Sequence, residues 1–308
     1  MIKTKIVKTA EPVSRAISVN MMPEAWDSEL GSLGGHPLQS TLWGDLRRVP
    51  DQRLAIIVDG RPVWMARVEE RKFPGIGKVA WIPKGPTAAD PKDAAGPLPR
   101  EFVSHLKAAG FQLIITDPYI ELDEIEAAPG DCIGQNVHTI WIDLTYGEQV
   151  AFTNLDKKWR NGVRRAEKEG VIVKETDMPS DINQFVSICR DIAKLKSFSF
   201  DVEDGLAGAL ILIIGTHWHY LWGGTDRIYS QFRAGEAVQW SIILDGIKKG
   251  ATFYDLEGID EQSNSGTAAF KKKMGGRNLQ LIGRRAHPLG FIGKAMSFAI
   301  RFREKHKT

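Results

Sequence analysis

One order of elements occurs twice in this chain, and it restricts the fold more than any single motif does. RLAIIVDGRPVWMARVEE sets Asp59-Gly60 between two apolar runs, the strongest short signal for a two-residue hairpin. KVAWIPKGP then supplies a strand ending at Gly85-Pro86, and LPREFVSHLKAAG carries helical apolar spacing closed by Gly110. FQLIITDP follows as a buried strand ending at Asp117-Pro118. In the second half SFSFDVEDGLAGALILIIG predicts a hairpin around Asp204-Gly205, and HWHYLWGGTD a strand ending at Gly223. GEAVQWSIILDGIKKG predicts a helix capped by Gly250, and ATFYDLEG a strand ending in Asp255. Gly85 to Asp117 and Gly223 to Asp255 are both separations of 32 residues. Hairpin, strand, helix, strand at matched spacing predicts a duplicated α/β unit with mixed sheets. At 308 residues the chain has room for two domains, expected at 1–150 and 151–308.

Between the copies, TNLDKKWRNGVRRAEKEG reads as a helix with Asn154 as N-cap. Leu155, Trp159, Val163 and Ala166 form its apolar stripe, with Lys157, Arg160, Arg164 and Lys168 on another side. INQFVSICRDIAKLK predicts a further helix leading into the second copy.

Composition places the chain among ordinary globular proteins, at 43% apolar and 26% charged residues. Its longest apolar run, Leu206 to Ile214, is far shorter than a bilayer requires. MIKTKIVKTAEPVS lacks the apolar core of a signal peptide and reads as an edge strand, so a cytoplasmic protein is expected. Cys132 and Cys189 stand in no pair motif and are expected as buried free thiols. The net charge of +3 is unevenly spread. Residues 157–174 carry +5 and 268–308 carry +10, which leaves −12 on the remainder. Two basic segments on an acidic body fit a polyanionic ligand such as phosphate groups, RNA or an anionic membrane surface, and equally fit solvated helix faces.

LDKKWRNGVRRAEKEGV, HYLWGGTD, FYDLEGID and AAFKKKMGG, in that order, resemble the FemABX family, with weaker support from LQSTLWGDLRR, IPKGP and IITDP. The resemblance implies two tandem GNAT-like acyltransferase domains, the second shortened, with a substrate cleft near their junction. It implies an aminoacyltransferase that joins an amino acid from aminoacyl-tRNA to an amine of a peptidoglycan precursor, a muramyl peptide on a nucleotide or lipid carrier. No cofactor and no metal are expected. Rival readings are an acyl-CoA-dependent N-acyltransferase of the same fold, a FemAB-like enzyme for a non-peptidoglycan amine, and a non-catalytic RNA-binding protein. KFPGIG at Lys72 to Gly77 imitates a CoA-binding loop only loosely and sits within the strand meander.

The resemblance assigns Lys271, which matches the lysine of the family's FK motif, to oxyanion stabilisation or to the tRNA end; a surface lysine beside Lys272 and Lys273 is the alternative. Asp117 and Asp255 end equivalent strands, where they hold the acceptor ammonium, accept its proton, or cap the following turns. Trp81, Tyr220, Trp222 and Tyr254 are expected substrate contacts or core aromatics, with Tyr220 and Trp222 on one face of their strand under period-2 alternation. Arg47 matches a phosphate-binding position. Arg160, Arg164 and Lys272 are expected to meet tRNA or phosphate. His217 and His219 alternate like half a metal pair, yet the sequence offers no carboxylate or cysteine at a spacing that completes it, and both are read as polar-face residues.

Overall fold

The computed structural model describes residues 15–73, 77–124, 128–134, 137–176, 178–183, 185, 207–259 and 265–305. The first half contains β1 (Arg15–Val19), α1 (Pro23–Ser32), α2 (Thr41–Arg47), β2 (Asp51–Val58), β3 (Arg61–Phe73), β4 (Gly77–Ile82), β5 (Thr87–Ala88), α3 (Pro91–Ala95), α4 (Arg100–Ala108), β6 (Phe111–Thr116), β7 (Asp131–Ile133) and β8 (His138–Asp143). The second contains α5 (Gly147–Asn154), α6 (Lys157–Lys168), β9 (Ala207–Ile214), β10 (His217–Thr225), α7 (Ala234–Lys248), β11 (Phe253–Asp255), α8 (Ser265–Lys272), β12 (Arg277–Gln280), β13 (Arg284–Pro288) and α9 (Phe291–Lys305).

Two mixed sheets result. The first runs β1-β2-β3-β4-β6-β13-β7, with β5 paired to β3, and the second runs β12-β8-β11-β10-β9. The duplicated unit is visible in the pairing: β4 lies parallel to β6 across α4, and β10 lies parallel to β11 across α7. Asp59 and Gly60 turn the β2–β3 hairpin with φ of 49° and 79°, the left-handed pair that the sequence called for. In the second unit the described hairpin joins β9 to β10 around Gly215, while Asp204-Gly205 lies outside the described residues, as do the expected edge strand before Arg15 and most of the expected 182–196 helix. Asp156, not Asn154, caps the basic helix: its carboxylate accepts from the Lys158 N–H at 2.8 Å, and the chain breaks into α5 and α6 at Leu155. Cys132 is exposed rather than buried, because β7 is a short edge strand.

Each sheet is completed by a strand from the other side of the sequence. β8 follows the first unit yet pairs with β11 and β12 of the second sheet. β13 follows the second unit yet lies between β6 and β7 of the first. Sheet membership thus exchanges two segments across the expected division at residue 150. One face of the first sheet packs Leu54, Ile56 and Ile114 against Phe102 and Leu106 of α4, and the other packs Val79, Leu113 and Ala286 against Met296 of α9. The second sheet packs Ile140, Ile142, Trp218 and Tyr254 against Leu155, Trp159, Val163, Trp240 and Ile243 of the helical layer. Trp26, Leu30, Ala55 and Met65 form a further cluster that reaches Ile214 of β9. At this contact a Cβ on Gly215, whose φ is 55°, would stand 2.9 Å from the Gly31 carbonyl oxygen, so the lobes approach backbone to backbone.

Two changes test the exchange. Ending the chain at Gly283 removes β13 and α9 and should abolish cooperative folding of the first sheet, read as lost amide-exchange protection in β6. Ala286→Glu, which puts a charge at a fully buried position, should cost at least about 3 kcal/mol in chemical denaturation.

Candidate functional site

The strand ends of both lobes converge on a cluster of buried charge. From the first lobe come His36, Lys84, Asp117 and Tyr119; from the second come His219 on β10, Asp255 at the end of β11, Glu257 just beyond it, and Lys271 in the last turn of α8. His36 is placed by a stitched segment. The Gln39 amide donates to Pro83 O at 2.6 Å and accepts from the Arg67 N–H at 2.7 Å. The buried Arg67 guanidinium donates to Leu38 O at 3.0 Å while paired with Asp51 at 2.6 Å and Glu69 at 2.7 Å. Parallel pairing of β10 with β11 puts His219 directly beside Asp255.

Asp255 is fully buried. Its carboxylate accepts from the Tyr119 hydroxyl, the Thr139 hydroxyl and, at 2.7 Å, the Glu257 N–H. Burial pushes Asp255 above the usual carboxylate range, helped by the neighbouring Glu257 charge and opposed by His219 and the two hydroxyls. Glu257 behaves oppositely. Burial acts to raise it, but His36, His219 and Lys84 outweigh burial and hold it well below its ordinary value. Its Oε1 accepts from His36 Nε2 at 2.6 Å and from His219 Nδ1 at 2.9 Å.

Two lysines flank this pair. Burial works against the charge of Lys84, yet Glu257, Asp117 and Asp255 overcome it and raise its pKa. Lys271 is 7% exposed, and its Nζ donates to Gly258 O at 3.0 Å and stands 5.5 Å from the Tyr220 ring centroid. Burial lowers its pKa, opposed by Glu257 and Asp255. Asp117 is half-buried beside Lys84; burial raises it, while Lys84 and Arg284 pull the other way.

His36, His219 and Glu257 bring three ligand-type atoms within 4.8 Å of one another, a spacing open to a metal ion. The proton positions oppose one. His36 Nδ1 accepts from the Leu38 N–H at 3.1 Å, so the ring is neutral with its proton on Nε2, pointing at Glu257. Ligation through Nε2 would need that proton moved to Nδ1, against the Leu38 N–H. The donor set therefore fits a hydrogen-bonded carboxylate better than a metal.

Of the expected site residues, the structure brings Lys271, Asp255 and Asp117 to one place, and Lys271 is not the surface lysine that Lys272 and Lys273 are. The others stand differently. Tyr254 is fully buried with its hydroxyl given to Gln239 at 2.8 Å, so it is core and has no surface left for substrate. A bulge between Tyr220 and Trp222 breaks the alternation, leaving Tyr220 half-buried and Trp222 56% exposed, and the shared face is lost. Trp81 lies between Arg71 and Arg284, 4.5 and 5.9 Å from its centroid. Arg160 donates to Thr153 O at 2.7 Å and to Leu155 O, closing the end of α5 instead of pointing outward. Arg164, over the Phe152 ring, and Arg47, at the end of α2, are exposed. His219 is 1% exposed, not a polar-face residue, and Glu257 is the carboxylate that sequence spacing did not supply. His36, Lys84, Tyr119, Thr139 and Glu257 were not singled out, although IPKGP and DLEG contain two of them.

Burial depresses His36 to about 3, and depresses His217 and His287 each to about 4. Between those values and about pH 6.5 the unfolded chain binds more protons than the folded one, so this stabilisation is full above about pH 6.5 and is lost on acidification. Thermal melting from pH 7 to 4.5 should show His36→Gln with a shallower fall in Tm than the parent, whatever its absolute stability.

A family model described as FemAB family matches residues 191–290, a segment holding His219, Asp255, Glu257 and Lys271. The lipid II:glycine glycyltransferases of Staphylococcus aureus strains USA300 and NCTC 8325 are each 26% identical over 126 residues, 38% of this chain. The match spans 30% of the length of those curated relatives. Among solved structures, the crystal structure of FemX superposes with a TM-score of 0.76 at 16% identity, covering 93% of this chain and 100% of that one. L-PGS from Bacillus licheniformis reaches 0.55 at 15% identity, covering 93% and 98%. The chain is thus similar to the FemAB family over residues 191–290, and the superposition on FemX shows a shared fold over 93% of its length.

Proposed function

We propose that the chain is an aminoacyltransferase that joins an amino acid from aminoacyl-tRNA to an amine of a peptidoglycan precursor. The observation that carries the reading is Lys271, a cation buried at the junction of the lobes within the segment that matches the FemAB model. The glycyltransferase relatives support the precursor as acceptor.

The chemistry is ester aminolysis. The acceptor nitrogen forms a bond to the ester carbonyl carbon, the carbonyl oxygen becomes an oxyanion, and the ester C–O bond breaks as the tRNA ribose oxygen leaves with a proton. Lys271 is placed to stabilise the oxyanion: its ammonium is desolvated, and its one hydrogen bond to a described residue goes to a neutral carbonyl. Asp117, half-buried and raised by burial, is the carboxylate open to the acceptor amine and its proton. Asp255 has no exposed surface and serves as a strut between Tyr119, Thr139 and the Glu257 backbone. Exposed Arg164 and Arg47, with Lys272, offer charge to phosphates, and a tRNA donor implies a cytoplasmic site of action.

Incubating the protein with tRNA charged with labelled amino acids and a panel of precursor amines should place label in a hydroxylamine-stable amide. Acetyl-CoA should give none. Lys271→Ala, folded as judged by its melting curve, should lose about 10²–10³-fold in transfer, whereas Lys273→Ala should stay within about threefold. Full activity of Lys271→Ala, or transfer from acetyl-CoA alone, would overturn the assignment.

A further inference from the structure

Glu257 combines three features that folding alone does not ask for. Its backbone is left-handed, with φ of 58°, a conformation that glycine adopts without strain and a branched or long side chain does not. Its carboxylate is pinned through one oxygen only, by His36 and His219. The side chain stays 17% exposed, and Oε2 takes no hydrogen bond from the described residues. A buried carboxylate kept for stability would have both oxygens satisfied, as Asp255 does.

The surroundings preserve the charge of Glu257. His36 is locked as a neutral donor by the Leu38 N–H, so it orients the carboxylate without cancelling it. His219 gives its Nδ1 to the same oxygen, and its Nε2 has no partner among the described residues. Immediately alongside, Lys271 Nζ bonds the carbonyl of Gly258, the residue that follows Glu257. The site therefore offers a carboxylate oxygen on Glu257 and a lysine ammonium anchored on the carbonyl of the next residue, Gly258.

An aminoacyl ester has the opposite pattern. Its α-ammonium sits two bonds from the ester carbonyl carbon, about 3 Å from a carbonyl oxygen that becomes negative during attack. We infer that Glu257 receives the α-ammonium of the aminoacyl donor while Lys271 receives its carbonyl oxygen, so that the pair selects donors whose α-amine is free. The inference rests on the aminoacyl-transfer reading and names the donor group that the site recognises. A salt link between carboxylate and ammonium also keeps the donor's own amine protonated, which prevents it from acting as the nucleophile in place of the acceptor amine.

The test compares aminoacyl-tRNA with the same tRNA after N-acetylation of its amino acid, in the parent chain, Glu257→Gln and Glu257→Gly. Glycine relaxes the left-handed backbone, so the second variant guards against a folding artefact. The parent should prefer the free-amine donor by about 10² in kcat/KM, and both variants should bring that ratio close to 1. Variants that lower both donors equally, or that keep the parental ratio, would overturn the inference. A 3′-aminoacylamido adenosine and its N-acetyl counterpart, titrated by calorimetry, report the same recognition without turnover. Ammonium-selective binding that vanishes in Glu257→Gln supports the inference even where no transfer is detected, an outcome that would instead sink the proposed reaction. Binding with no ammonium selectivity, or stoichiometric zinc binding lost in Glu257→Gln, would overturn it.

Discussion

A carboxylate with no exposed surface survives only if every lone pair that matters meets a donor, and Asp255 meets its donors from three separate parts of the chain. Tyr119 arrives from the first lobe, Thr139 from the strand that crosses between lobes, and the Glu257 N–H from the turn after β11. The arrangement fixes the register of β8 against β11, holds Tyr119 over the junction, and shapes the turn that projects Glu257. Loss of any one donor would leave a buried charge short of a partner, a cost of several kcal/mol that the local fold is built to avoid.

The same small volume holds two carboxylates pushed in opposite directions. Asp255, desolvated and next to another anion, is raised; Glu257, held by two histidines and facing Lys84, is depressed. Such divergence between neighbours separates a carboxyl group that is easier to protonate from one that stays charged. The lysines follow the same logic, since Lys84 has three carboxylates around it and Lys271 has a neutral carbonyl as its hydrogen-bond partner.

Much of the fold was legible because the duplicated unit is written in local signals: Asp59-Gly60, Gly110 and Gly250 mark their turns and caps, and β6 carries the apolar stretch Leu113–Ile115. The strand exchange was not legible, because β8 and β13 look like ordinary strands and nothing in HTIWID or RRAHP encodes which sheet they join. Lys271 and the aspartates could be found because strand ends in a repeat are predictable positions. Glu257 was harder. A glutamate at positive φ is a property of backbone shape, and its histidine partner His36 is 221 residues away. The Tyr220–Trp222 bulge likewise broke an alternation that sequence periodicity takes as given.

The placement of β13 between β6 and β7 sets a schedule for biosynthesis. Until the ribosome has polymerised residue 288 the first lobe has an unpaired edge at β6, and until it has reached Met296 an apolar face stays uncovered. The half of the protein made first is thus the half that finishes last, and a nascent chain stalled anywhere before that point presents a sticky, incomplete sheet for chaperones to shield.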